Sequence, residues 1–262
     1  MEKKFKVIGI IAIVLVATLS IAGYFFFYED VFEEATVEPS DNDEKSFRKF
    51  HIGNYNFSSI DTATHNNSYF NLNIGYRITL EGEDEGEDIL VNITVQNQTV
   101  WVAGIETRVV TEEEYEDGDL IEISYNYFAL CNETLDVIYF GELSVDYEDG
   151  EIVGHGGSWS ANESGHLPGI MMPGTFRLGD RYYQEYALEA ALDRAENVAK
   201  GKKFDTPIGV FYDCVITEET NALEPFATEY KVYTPGVGII ADERLLITFE
   251  GTVKTYPLEG YV

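Results

Sequence analysis

From residue 69 onward, apolar and polar side chains alternate along the chain, with β-branched and aromatic residues on the apolar beat and Gly or Asp at the breaks. A period of two places alternate side chains on one face of a strand. It predicts strands over 69–80, 89–95, 100–110, 120–130, 135–145 and 152–159, and again over 208–217, 228–233 and 245–253. Asp117-Gly118 and Asp149-Gly150, each preceded by Glu and, one residue earlier, by Tyr115 or Tyr147, supply the Asp-Gly pairs that tight hairpins favour. One stretch changes period. Over 186–200, Leu188, Ala191, Leu192, Ala195 and Val198 fall at helical spacing and Lys200-Gly201 reads as a stop, predicting a short amphipathic helix. The expectation is a mainly β fold of roughly ten strands. Its form is a strongly curved antiparallel sheet, an open or closed barrel, with the helix set against it, because closure removes exposed edges. The alternative is a two-sheet β-sandwich.

The N-terminal end has a different pattern. Lys3, Lys4 and Lys6 precede an uncharged run over 7–27, and Glu29-Asp30 follow it. A run of this length matches the roughly 30 Å hydrocarbon layer, and its flanking charges orient the N-terminus to the cytoplasm. Residues 1–28 are therefore expected to be a transmembrane anchor, 29–50 an acidic stalk and 51–262 an exported β-rich domain. Tyr24 to Phe27 suit an interfacial belt; the alternative is cleavage near Ser20-Ile21-Ala22 and secretion. Six glycosylation sequons, at Asn56, Asn66, Asn92, Asn97, Asn132 and Asn162, all lie beyond the apolar run and agree with an extracytoplasmic location.

Charge narrows the function classes. The 262 residues include 47 acidic and 17 basic side chains, a formal net charge of −30. Such a surface repels nucleic acid and anionic lipid headgroups. Two cysteines exclude a dense disulfide scaffold; Cys131 and Cys214, both on predicted strands, are left as one candidate disulfide or as two buried thiols.

Catalytic spacings are weak. Ser46-Phe47-Arg48-Lys49 has the letters of an acylation motif but sits in the stalk, without its companion motifs. Gly236-Val237-Gly238-Ile239-Ile240-Ala241 has the letters of a dinucleotide fingerprint, yet a turn and strand follow where a helix N-terminus is needed. The acidic run over 81–88 reads as a solvated hairpin tip, lacking the ordered ligand ladder of a calcium loop. His155, His166, Met171 and Met172 are ligands copper accepts, although their spacing is irregular and core filling by the methionines explains them as well. No catalytic residue and no cofactor follow from these patterns, and an enzyme is unsupported.

Several stretches resemble a group of secreted or lipoprotein-like, β-rich envelope proteins of prokaryotes. They are Tyr139-Phe140-Gly141-Glu142, Gly157-Ser158-Trp159, Pro168-Gly169-Ile170-Met171-Met172-Pro173, Gly179-Asp180 with Tyr183-Gln184-Glu185-Tyr186, Thr206-Pro207-Ile208-Gly209-Val210-Phe211 and Tyr233-Thr234-Pro235-Gly236-Val237-Gly238. The resemblance implies a β fold and an envelope location, and no activity. The expected function is a membrane-tethered structural or interaction module of the envelope, with another envelope protein as partner. The alternative is a carrier for an apolar small molecule or lipid.

Overall fold

A computed structural model describes residues 47–57, 66–188, 190–224 and 227–255. The expected anchor over 1–28, the stretch read as stalk as far as residue 46, Ser46, and Ser58 of the Asn56 sequon lie outside them. Among the described residues no helix is long and apolar enough to cross a membrane.

Fifteen strands form one sheet with antiparallel ladders. In chain order they are β1 (Tyr76–Asp84), β2 (Glu87–Val102), β3 (Ile105–Glu116), β4 (Asp119–Leu130), β5 (Val137–Glu148), β6 (Glu151–Gly154), β7 (Trp159–Ser160) and β8 (Leu167–Met172). There follow β9 (Arg181–Tyr183), β10 (Glu185–Tyr186), β11 (Asp193–Thr206), β12 (Gly209–Asn221), β13 (Thr228–Thr234), β14 (Gly238–Asp242) and β15 (Leu245–Thr252). Neighbours run β10-β8-β5-β4-β3-β2-β1-β15-β14-β13-β12-β11-β9, with β6 and β7 added on β5. The first and last long strands are thus adjacent, Tyr76 opposite Thr252.

Turn chemistry sets the meander. Glu85-Gly86, Ala103-Gly104, Asp117-Gly118 and Asp149-Gly150 all have positive φ at both central positions. Two such residues match the twist of the flanking strands, so each joins its hairpin with the shortest loop. The acidic run over 81–88 is one of these hairpins, its strands continuing to Asp84 and resuming at Glu87.

Three expectations are corrected. The ladder is a single continuous path, so the sandwich is not formed. Nor does it close into a barrel: the end strands β9 and β10 do not pair with each other. They belong to one segment, whose first half pairs with β11 and whose second half pairs with β8, with Gln184 between them. Finally, the helix expected over 186–200 is absent, and most of that stretch is the start of β11. Burial there alternates strictly, with Asp193, Ala195, Asn197 and Ala199 inward. Leu188, needed for the apolar helix face, is 54% exposed. Pairing to β12 on one side and β9 on the other overrides the helical propensity of an alanine-rich stretch.

The sheet is curled enough that strands distant along it share a core. Val110 of β3, Phe128 of β4, Tyr139 of β5, Val215 of β12 and Tyr233 of β13 belong to one buried cluster. On the outer face of β3–β5 a second cluster forms around Val109, Tyr127, Ile138 and Phe140, and Phe50 covers it. Phe50 is 2% exposed, its ring set edge-on to Phe140, and Arg48 bridges to Tyr182 of β9. The fold therefore reaches back to residue 47, inside the stretch read as stalk. Burial on both faces explains why β4 is inaccessible from Ser124 to Leu130 without alternation.

Candidate binding cavity

The curl leaves a cavity of ≈160 Å³ between β1–β4 and β13–β15. Its walls follow from the period of two. Ile78 and Leu80 on β1, Val91 and Ile93 on β2, Val110 on β3 and Phe128 on β4 face it, joined by Tyr233 and Ile239 from the far side. Following the same parity outward, the lining turns acidic: Val110 leads to Glu112 and Glu114 on β3, and Tyr233 leads to Lys231 and Glu229 on β13. The cavity thus has an apolar wall on β1 and β2 and an acidic wall on β3 and β13.

Cross-strand register sharpens this contrast. Ile93 and Val91 lie opposite Glu112 and Glu114, while on the other side Glu114 lies opposite Glu122 of β4. Two carboxylates facing each other across a ladder repel when both are ionised. Burial, then its acidic neighbours Glu112, Asp242 and Asp84, push the Glu114 carboxyl up to about 7. Glu112 is pushed up to about 7, chiefly by burial, with Lys231 opposing and Asp242 adding to the shift. Glu229 is pushed up to about 8, again chiefly by burial and against Lys231.

The cations here are already engaged. Lys231 Nζ lies 3.3 Å from Glu219 Oε2 and 3.4 Å from Asp242 Oδ2. Burial alone would lower its pKa, but these two carboxylates outweigh it and hold the ammonium well above the usual lysine range. At the exposed rim Arg244 pairs with Asp84, joining the β1–β2 hairpin to the β14–β15 turn.

A second polar layer continues beyond the cavity. Gln184 donates from Nε2 to Glu219 Oε1 at 2.8 Å, and Thr217 donates to the same oxygen. The Tyr139 hydroxyl touches both Asn126 Oδ1 and Glu142 Oε2. Burial, then the nearby Glu122 and Glu112, raise the Glu142 carboxyl well above the usual range, against the opposing effect of the Tyr139 hydroxyl. Glu185 and Asp193 hydrogen-bond to each other, and burial raises both. Such a pair shares a proton and titrates as a unit.

Of the copper-ligand candidates only Met171 lines the cavity; of the other stretches singled out in the sequence, Asp84 of the acidic run and Val237, Gly238 and Ile239 of the glycine-rich motif also line it. Met172 is fully buried in the core, His155 Nδ1 lies 2.7 Å from Ser144 O, and His166 Nδ1 lies 3.2 Å from Ser160 O. Each histidine has a backbone carbonyl partner of its own, and the two methionines face different surroundings. Among the described residues, no group of three or more His, Cys, Asp or Glu is placed to hold a metal ion.

Cys131 and Cys214 are free and buried rather than bridged. Cys131 is in the turn after β4, its amide bonded to Asp136 O, whereas Cys214 packs in the cluster of Ile216, Ile240 and Ile247. Gly236 lies in the β13–β14 turn, and Lys49 of the acylation-like motif stacks its ammonium 3.8 Å from the Tyr186 ring centroid. Among the sequon asparagines, Asn56, Asn66, Asn97 and Asn162 are exposed. Asn92 Oδ1 accepts from Thr79 Oγ1 across the β1–β2 ladder.

Glu112 and Glu114 lie beyond the predicted strand over 100–110, whereas Glu229 lies inside the predicted strand over 228–233 with nothing in the pattern to separate it from a solvent-facing residue. For the first two the signal was present: the alternation carries on through Glu112 and Glu114 to the Asp117-Gly118 turn, on the parity of Val110. No family model, no curated protein and no solved structure matches this chain.

Proposed function

We propose that the chain is a membrane-tethered, extracytoplasmic binding module whose ligand is a small, largely apolar molecule seated between β1–β4 and β13–β15. The cavity of ≈160 Å³ carries this reading. A closely packed interior leaves few voids larger than a water molecule, and an apolar cavity of about 150 Å³ suffices to bind benzene. The tether and its orientation are supported by the uncharged run over 7–27 with lysines before it and acids after it.

The test is native mass spectrometry of the full chain extracted from the membranes of its own host. The expected result is a small adduct at near one-to-one that is lost in Val91→Phe, a substitution that places a ring in the cavity from the β2 wall. A bare protein mass in both forms, or recovery of the full chain from the soluble fraction, would overturn the respective half of the proposal.

A second reading, an interaction module, is favoured by one separate observation. The β11–β12 hairpin is exposed on both faces over residues 200–213 apart from partly covered positions, and carries Ile208, Val210 and Tyr212 in the open, Tyr212 at 63%. A two-stranded arm with apolar side chains in solvent suits contact with another protein.

A further inference from the structure

The cavity has one property that a container for a purely apolar molecule does not need. Glu114 is only 3% exposed, faces the cavity, and makes no hydrogen bond or ion pair with any described residue. Glu112 and Glu229 face the same space, likewise without a hydrogen bond or ion pair among the described residues. The two cations that reach the cavity are committed, Lys231 to Glu219 and Asp242, and Arg244 to Asp84. Buried carboxyls are ordinarily paired or hydrogen-bonded, because desolvation without a partner is unfavourable. Glu114 is the buried one, and the half-buried Glu112 and Glu229 turn toward the same space, so that the three together form a set of acceptors directed at one cavity.

Building on the reading of the cavity as a binding site, we propose that its ligand is a small organic cation, an ammonium group on an apolar body about the size of a benzene ring, received by Glu112, Glu114 and Glu229.

Each half of such a molecule meets its complement. The apolar body lies against Ile78, Leu80, Val91 and Ile93, and an ammonium has three donors for carboxylates that offer only acceptors. Phe70, Tyr76, Phe128 and Tyr233 add aromatic rings to the lining, a residue type whose faces attract a cation. The surrounding field acts the same way: a formal net charge of −30 concentrates cations at the surface and in its clefts. An inorganic divalent ion is a poorer fit, since it needs several oxygens around one point and has no use for the apolar wall. With no cation beside it, the acidic wall stays compatible with its surroundings below about pH 7 by holding protons, as the upward shifts of all three carboxyls indicate. A bound ammonium replaces those protons as the source of positive charge.

Three probes of nearly equal shape separate the possibilities: benzylamine, benzyl alcohol and benzoate, measured by calorimetry on the full chain in detergent at pH 7.5. Benzylamine should bind at least tenfold more tightly than benzyl alcohol, and benzoate should not bind. Glu114→Gln and Glu112→Gln should each bring benzylamine toward the alcohol while leaving the alcohol unchanged. Neither variant introduces a charge or changes side-chain size, and an unchanged cooperative melt verifies each fold. If benzyl alcohol binds as tightly as benzylamine and the variants are indifferent, the cation proposal falls and the apolar cavity reading stands. If none of the three binds, both fall. Calcium that binds in the micromolar range and displaces benzylamine would assign the acidic wall to an inorganic ion and also overturn the proposal.

Discussion

Glu112, Glu114 and Glu229 titrate in the fold at about 7, 7 and 8, against an ordinary glutamate value of 4.5. In the unfolded chain they release their protons near 4.5, so between that pH and about 8 the native state binds more protons than the unfolded one. Stability is then greatest at the acidic end of the window and declines as pH rises through the folded values. At about 1.4 kcal/mol per pH unit between the folded and unfolded values, the upper bound is on the order of 3 kcal/mol for Glu112 and Glu114 and 5 kcal/mol for Glu229. The thermal midpoint should be higher at pH 5 than at pH 8, and Glu114→Gln, which cannot ionise, should narrow the difference. Equal midpoints at the two pH values, or a variant with the parent's full pH dependence, would contradict this. None of the three carboxyls stood out in the sequence, because a Glu alternating with polar residues near a strand end has the pattern of a solvated edge. Only the curl, which brings β13 over β3, turns that edge inward. His155 and His166 stood out because their side chains are chemically versatile, and the structure uses each on a backbone carbonyl.

At the scale of elements, the strands were legible wherever one face met water and the other met the core. The hairpins at Asp117-Gly118 and Asp149-Gly150 were fixed by residues that tolerate positive φ. Over 193–199 the alanines fit either period, and the decisive information lies outside the stretch, in pairing with β9 and β12. The short strands β8 to β10 were also hidden, as their pairing depends on a close approach rather than on a pattern. Gly169 of β8 shows this: a Cβ there would lie 2.0 Å from Gln184 O and 2.2 Å from Gln184 C, both backbone atoms. Gly169→Ala must push the β8 and β10 backbones apart, and a loss of about 3 kcal/mol or more is expected in urea titration. Gly118→Ala, at a turn with open space and φ of +88°, carries only the left-handed backbone penalty of about 1 kcal/mol. A Gly169 variant as stable as the Gly118 variant would mean that the β8–β10 contact does not hold the edge of the sheet.

The molecule as a whole combines one open sheet with a large charge of one sign. The described basic side chains are few beside the acids, so that mutual repulsion of carboxylates opposes compactness. Sodium chloride screens that repulsion, and raising it from about 0.01 M to about 0.5 M shortens the Debye length from about 30 Å to a few ångströms. The melting temperature should rise accordingly; a fall would show that the engaged pairs, such as Lys231 with Asp242, outweigh the repulsion. Composition made the charge plain, and the single-sheet outcome was one of the forms expected. What no local pattern could foretell is the seam at which the first and last long strands meet, β1 beside β15. That seam imposes an order in time. As the polypeptide is delivered from its N-terminal end, Ile78, Leu80, Val91 and Ile93 arrive early and wait, their wall facing nothing, until some hundred and fifty residues later the opposite wall comes through. Contacts so distant along the chain are slow to form. The pocket therefore cannot be complete until residues 228–245 have joined residues 76–128, and its two walls depend on contacts between distant parts of the chain.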